Sequence, residues 1–162
     1  MEKKEAEEDF IKMIGRNERI IYKVCSFYRD SQSPIADLYQ DVVINLWNSR
    51  LRFRNDCSES TWIYRIALNT CISCVRKDIR KPQKVSLSIL NDTIAEPESL
   101  DEHLKELYSL IHQLKTMEKA IVLLWLEEKS YQEIADITGL TLSNVATKLK
   151  RAKMKLKEMS NQ

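Results

Sequence analysis

Ser130-Tyr-Gln-Glu-Ile-Ala-Asp-Ile-Thr-Gly-Leu-Thr-Leu-Ser-Asn-Val-Ala-Thr-Lys-Leu-Lys-Arg-Ala-Lys-Met-Lys-Leu-Lys157 carries two helix signatures joined by a tight turn. Ser130 is an N-cap, and Glu133 three residues on closes a capping box. Ile134, Ala135 and Ile137 form a small apolar face. Gly139 stops the first helix, because glycine takes a left-handed turn without a Cβ penalty. Thr141 caps the second helix. Val145, Leu149, Ala152 and Leu156 recur at helical spacing and pack inward. At 3.6 residues per turn, Ser143, Thr147, Lys150 and Met154 fall on the opposite face, flanked by Arg151. This is a helix-turn-helix whose second helix has the polar, basic outer face that suits a major groove.

Charge clusters on the same helix. Lys148, Lys150, Arg151, Lys153, Lys155 and Lys157 follow one another, with no acid before Glu158. So dense a run is a phosphate-binding footprint. The plainer reading is a solvated helix end, where cations are favourable by themselves. The glycine-turned pair before it favours DNA.

Composition sets the class. The chain has 162 residues, with 26 Lys plus Arg against 24 Asp plus Glu, so any nucleic-acid binding rests on local clustering, not net charge. With 2 glycines and 3 prolines, turn residues are too few for a strand-rich fold. An all-α fold is expected, as two small helical domains on a linker. No apolar run reaches membrane-spanning length, and the acidic start is no signal peptide, so a cytoplasmic protein without stable membrane insertion is expected.

Cys25, Cys57, Cys71 and Cys74 should then be reduced. Cys71-Ile-Ser-Cys74 has the spacing of a redox or metal motif. Its helical setting puts both thiols with Tyr64, Ala67 and Val75 on an inward face, and neither His103 nor His112 is near. Buried structural thiols fit better, so no metal and no cofactor is expected.

Along the chain, Glu5 to Ile14 reads as a short helix ended by Gly15, and Asn17 to Tyr28 as a second. Pro34 opens a third, to Asn48, with Ser33 as its cap. Ile35, Leu38, Val42 and Leu46 make its inward stripe. Asp37, Gln40, Asp41, Ile44 and Trp47 lie opposite. Acids beside an aromatic suit a protein-binding hot spot, although Trp47 packing within its own domain fits equally well. Arg50 to Glu59 is a polar loop in which Phe53 lies among Arg50, Arg52 and Arg54. That pattern suits single-stranded nucleic acid or a plain surface loop. A long helix runs from Ser60 to about Ile79, with Ile63, Tyr64, Ala67, Leu68, Cys71 and Val75 inward. Its other face carries an unburied Trp62 with Arg65, Ile66, Asn69, Ser73, Arg76 and Lys77. Pro82 ends it. Gln83 to Ser99 reads as a linker with a short extended piece at Val85 to Ile89. Leu100–Leu114 and Thr116–Glu128 are helices that support the helix-turn-helix from behind, the first through Leu104, Leu107, Leu110, Ile111 and Leu114.

Asp37-Leu-Tyr-Gln-Asp-Val-Val-Ile-Asn-Leu-Trp47, Ser60-Thr-Trp-Ile-Tyr-Arg-Ile-Ala-Leu-Asn-Thr70 and the Ser130 to Lys153 stretch occur in an order that resembles the extracytoplasmic-function RNA polymerase sigma factors of the sigma-70 family. The resemblance implies that residues 1–81 form the region-two domain, 82–99 a linker toward the polymerase channel, and 100–162 the region-four domain. It implies that Asp37, Gln40, Asp41, Ile44 and Trp47 contact core RNA polymerase. It implies that Arg54, Asn55, Trp62, Arg65, Asn69, Arg76 and Lys77 serve the −10 element, the loop from Arg54 to Ser60 holding a flipped base. Ser143, Asn144, Thr147, Lys148, Lys150 and Arg151 would serve the −35 element. Core polymerase, promoter DNA and an anti-sigma protein are the implied partners. Three departures from the family pattern stand out. Ala146 replaces a basic residue, Ser143-Asn144 replaces a small pair with glycine, and Lys115-Thr116 lacks a proline before the supporting helix. No nucleophile–base pair or phosphate-cradling glycine loop occurs, so no enzyme is expected. A stand-alone helix-turn-helix regulator, a thiol-based enzyme and a structural interaction protein are the competing readings.

Overall fold

A computed structural model describes residues 2–78 and 102–161. The described residues are helical, without a strand: α1 (Glu2–Arg16), α2 (Glu18–Tyr28), α3 (Ile35–Ser49), a 3₁₀ turn (Arg50–Arg52), α4 (Glu59–Asp78), α5 (Glu102–Ile111), α6 (Thr116–Leu126), α7 (Tyr131–Thr138) and α8 (Leu142–Ser160). The chain divides into two compact units, Met1–Asp92 and Thr93–Gln162. The expected linker, with its extended piece at Val85 to Ile89, lies outside the described residues.

In the first unit α2, α3 and α4 pack on one another. Ile35, Leu38, Val42 and Leu46 are buried, as their spacing requires, in a core that also holds Ile21 and Val24 of α2 and Ile63, Ala67 and Leu68 of α4. Each fully buried aliphatic side chain contributes about 1.5–3 kcal/mol. α1 buries none of its residues fully, so this term holds it weakly. Specific contacts hold it instead. The Phe10 ring meets Trp47 edge-on at 5.0 Å, Arg16 Nη2 donates to Glu59 at 2.9 Å, and the Asn17 amide donates to the same carboxylate at 3.0 Å.

Several boundaries differ from expectation. Gly15 does not end α1, which continues through it to Arg16. Pro34, not Ser33, stands at the N-cap position of α3. The Ser33 N–H is instead bonded to Asp30 Oδ1 at 2.6 Å, and the side chains here leave α3 without a cap hydrogen bond. The polar loop begins as a 3₁₀ turn, because Phe53 N–H reaches back to the Arg50 carbonyl. Val75 and Cys74 are half-buried, at the rim of the core and not within it.

In the second unit α6 is the central helix. Ala120, Ile121, Val122, Leu123 and Leu124 are all buried, the pattern of a helix covered on several sides. Beside it, Ile111 and Leu114 are buried, whereas Leu104 is exposed although its spacing placed it inward. Ser130 and Glu133 form the reciprocal box at the start of α7: Ser130 Oγ accepts from Glu133 N–H at 3.1 Å, and Glu133 Oε1 from Ser130 N–H at 3.2 Å. Gly139 turns the chain at φ 78°, and Thr141 Oγ1 caps α8 by accepting from Asn144 N–H at 3.1 Å.

Candidate nucleic-acid and protein interfaces

The helix-turn-helix presents α8 by burying one stripe of it. Val145, Leu149 and Ala152 are buried, which leaves Ser143, Asn144, Thr147, Lys150 and Arg151 exposed and Lys148 half-buried beside them. The basic run is divided. Lys155 Nζ pairs with Glu118 Oε1 at 3.0 Å, and Lys153 Nζ lies 4.1 Å from the centre of the Trp125 ring. Both lysines therefore brace α8 against α6. Glu118 also accepts from Lys115 N–H at 3.3 Å, which replaces a proline start to α6 with half a capping box. Trp125 is 38% exposed under its lysine.

On the first unit, Asp37 and Tyr39 are half-buried, while Gln40, Asp41 and Ile44 are exposed, Ile44 at 48%. Burial pushes the Tyr39 hydroxyl up to about 12, helped by the nearby Glu18 carboxylate. Trp47 is half-buried, with Phe10 at its edge and the Arg50 guanidinium 3.4 Å from its ring centre. The structure thus supplies an internal partner for Trp47. Asp37, Asp41 and Ile44 face Asn69 of α4 across a groove of about 540 Å³. Its wall is tied together by Asn45 Nδ2 donating to Thr70 Oγ1 at 2.9 Å and Thr70 Oγ1 donating to the Ile66 carbonyl at 2.6 Å. Cys74 Sγ lies 3.5 Å from Asp41 Oδ2 on the same groove. Two faces treated separately in sequence therefore share one groove.

The loop 53–58 is preformed. Phe53 stacks on Trp62 at 4.9 Å with 22° between planes. Trp62 is only 7% exposed, contrary to the unburied position expected, because Phe53 folds back over it. Asn55 sits at the turn with φ 58°, a conformation asparagine tolerates better than most side chains. Arg65 Nη1 lies 3.6 Å from Cys57 Sγ, and Ser58 Oγ accepts from Thr61 N–H at 3.1 Å as the cap of α4. Arg54 and Asn69 are exposed. The side chains of Arg76 and Lys77 lie outside the described residues.

The thiols do not form a reactive or metal-binding set among the described residues. Cys25 and Cys71 are fully buried. The hydrogen bond with Cys25, followed by burial, raises the Cys71 thiol well above its ordinary value, the opposite of nucleophile activation.

A sigma-70 region 2 model matches residues 13–81 and a sigma-70 region 4 model residues 104–156. The chain is 35% identical over 130 residues to the RNA polymerase sigma factor YlaC of Bacillus subtilis, covering 75% of each. The chain belongs to the sigma-70 family, in its extracytoplasmic-function group. It is 28% identical over 137 residues to the ECF RNA polymerase sigma-E factor of Haemophilus influenzae, covering 76% of this sigma factor and 72% of that one. The fold agrees with that of the sigma factor RpoE in its complex with the anti-sigma factor NepR from Bartonella quintana. The TM-score is 0.75 at 18% identity, over 95% of this chain and 98% of that one. CnrH, solved with the cytosolic domain of CnrY, gives a TM-score of 0.65 at 17% identity, over 96% and 89%. This sigma factor acts in transcription initiation, and among its described residues no helix is long and apolar enough to cross a membrane.

Proposed function

We propose that this sigma factor divides its task between its two units. Residues 1–81 dock on core RNA polymerase and read the −10 element, 82–99 link, and 100–162 read the −35 element. Asp37, Gln40, Asp41 and Ile44 make the polymerase contact, with Trp47 at its border. Arg54, Asn55, Arg65 and Asn69, with Arg76 and Lys77, serve the −10 strand, and Trp62 supports them from beneath Phe53. Ser143, Asn144, Thr147, Lys148, Lys150 and Arg151 enter the −35 major groove. The observation that carries this reading is the exposed polar face of α8, held out by a glycine-turned helix pair. Promoter opening by this route needs binding energy and no covalent step, so the protein acts without enzymatic chemistry. It works in the cytoplasm, where the polymerase is, and an anti-sigma protein covers the same surfaces at rest, as NepR is found with RpoE.

Capture of core polymerase by the purified protein tests this, with the double variant Asp41→Ala, Ile44→Ala beside it. Both side chains are exposed, so the fold tolerates their loss. Wild-type capture that the variant loses is expected. Absence of wild-type capture, with specific duplex binding retained, would instead establish a free-standing DNA-binding regulator.

A further inference from the structure

The exit of the 53–58 loop is tied to a separate part of the molecule. Glu59, the first residue of α4, accepts from Arg16 Nη2 at 2.9 Å and from Asn17 Nδ2 at 3.0 Å. Asn17 sits at the joint between α1 and α2 and is 7% exposed; its amide also donates to the Met13 carbonyl at 2.8 Å. The other end of the loop is fastened by the Phe53–Trp62 stack. A buried amide is an expensive way to fill space, because it must be fully partnered, and Asn17 finds a partner in the part-exposed Glu59 carboxylate. What such a pair supplies that an apolar contact does not is a fixed geometry.

We propose that Asn17 and Glu59 are positioning residues for −10 recognition: they fix the exit of the 53–58 loop so that it meets an unpaired base in one shape. The inference rests on the reading that this loop serves the −10 strand. The pair lies on the α1–α2 joint and the start of α4, away from the groove where Asp41 and Ile44 stand. Glu59 also lies in the first turn of α4, where the helix dipole favours a carboxylate. Glu59→Gln keeps one oxygen to accept from Asn17, and loses the charge and the second acceptor that Arg16 uses.

The test uses the protein bound to core polymerase and a fluorescent single-stranded DNA. The probe is the sequence that the wild type enriches from a randomised pool, beside the same strand made abasic at each position in turn. The wild type is expected to prefer the intact strand strongly at one or two positions. Glu59→Ala should lose about tenfold of that preference, within the range that a single base contact supplies. Its capture of polymerase and its affinity for a −35 duplex should stay at the wild-type level, and Glu59→Gln should recover most of the loss. Asn17→Ser removes the amide that Glu59 and the Met13 carbonyl share, and gives the same reading where Glu59→Ala does not fold. Undiminished preference in these variants would overturn the positioning role and leave −10 reading intact. Loss of polymerase capture together with base preference would also overturn it, as a general defect of the fold. A wild type indifferent to abasic sites would overturn the −10 reading itself.

Discussion

Two single residues show how backbone conformation, more than contact, sets local stability. Gly15 lies inside α1 with open space where a Cβ would stand, so nothing requires glycine there. Gly15→Ala should raise stability by about 0.5–1 kcal/mol by removing unfolded-chain entropy, as a urea midpoint would show. Glu128 is the converse. It follows α6 at φ 61°, where Lys129 N–H bonds to the Leu124 carbonyl and Glu128 N–H to the Trp125 carbonyl. Those two bonds are a Schellman end, which glycine makes without strain. Glu128→Gly should stabilise the second unit by about 0.5–1 kcal/mol, the left-handed cost of about 1–2 less the added glycine entropy. At the DNA face, Arg151→Ala should weaken −35 binding by about 1–3 kcal/mol if it reads a base edge, measured by duplex titration.

At the scale of the element, α8 separates two kinds of lysine that look alike in a list. Lys150 is exposed on the outer face of α8, whereas Lys155 is engaged with a Glu118 that is itself nearly buried. Lys150→Ala should reduce the slope of log affinity against log salt by about 0.9, the signature of one released counterion. Lys155→Ala should leave that slope unchanged and lower unfolding stability by roughly 1 kcal/mol, because it deprives a shielded carboxylate of its cation. DNA titrations at several salt concentrations, paired with thermal melts, separate the two.

Across the whole molecule, each unit has a carboxylate that works at a helix start. Hydrogen bonds from Arg16 and then Asn17 hold Glu59 below its ordinary value, and bonds from the Ser130 backbone and then its side chain do the same for Glu133. A depressed folded value means the contribution is complete above the unfolded carboxylate value, about 4.3, and fades as pH falls through the lower folded value. Stability of both units should therefore decline on acidification below about pH 4.3. Glu59→Gln should flatten that decline in the first unit and Glu133→Gln in the second. Urea unfolding across pH, followed by one probe in each unit, reads both slopes.

Periodicity and capping are local properties, and they were legible in the chain alone. Ser130, Glu133, Gly139 and Thr141 specify α7, its turn and the start of α8 within twelve residues, and the stripe from Ile35 to Leu46 states which side of α3 is buried. The helical class follows from the same local signals, as does the order of motifs that marks a sigma factor. Tertiary structure decided which outward-pointing groups are free. Trp62 and Trp47 both fell on polar helix faces by spacing, yet Phe53 covers one and Phe10 with Arg50 flanks the other. Lys153 and Lys155 belong to the same basic run, yet Trp125 and Glu118 of α6 engage them. The joining of Asp41 and Asn69 across one groove, and of Asn17 to Glu59 over 42 positions, likewise has no sequence signal. Helical spacing assigns a side chain to a face of its own helix. What meets that face is set by segments distant in the chain, which come together only when the cores are packed.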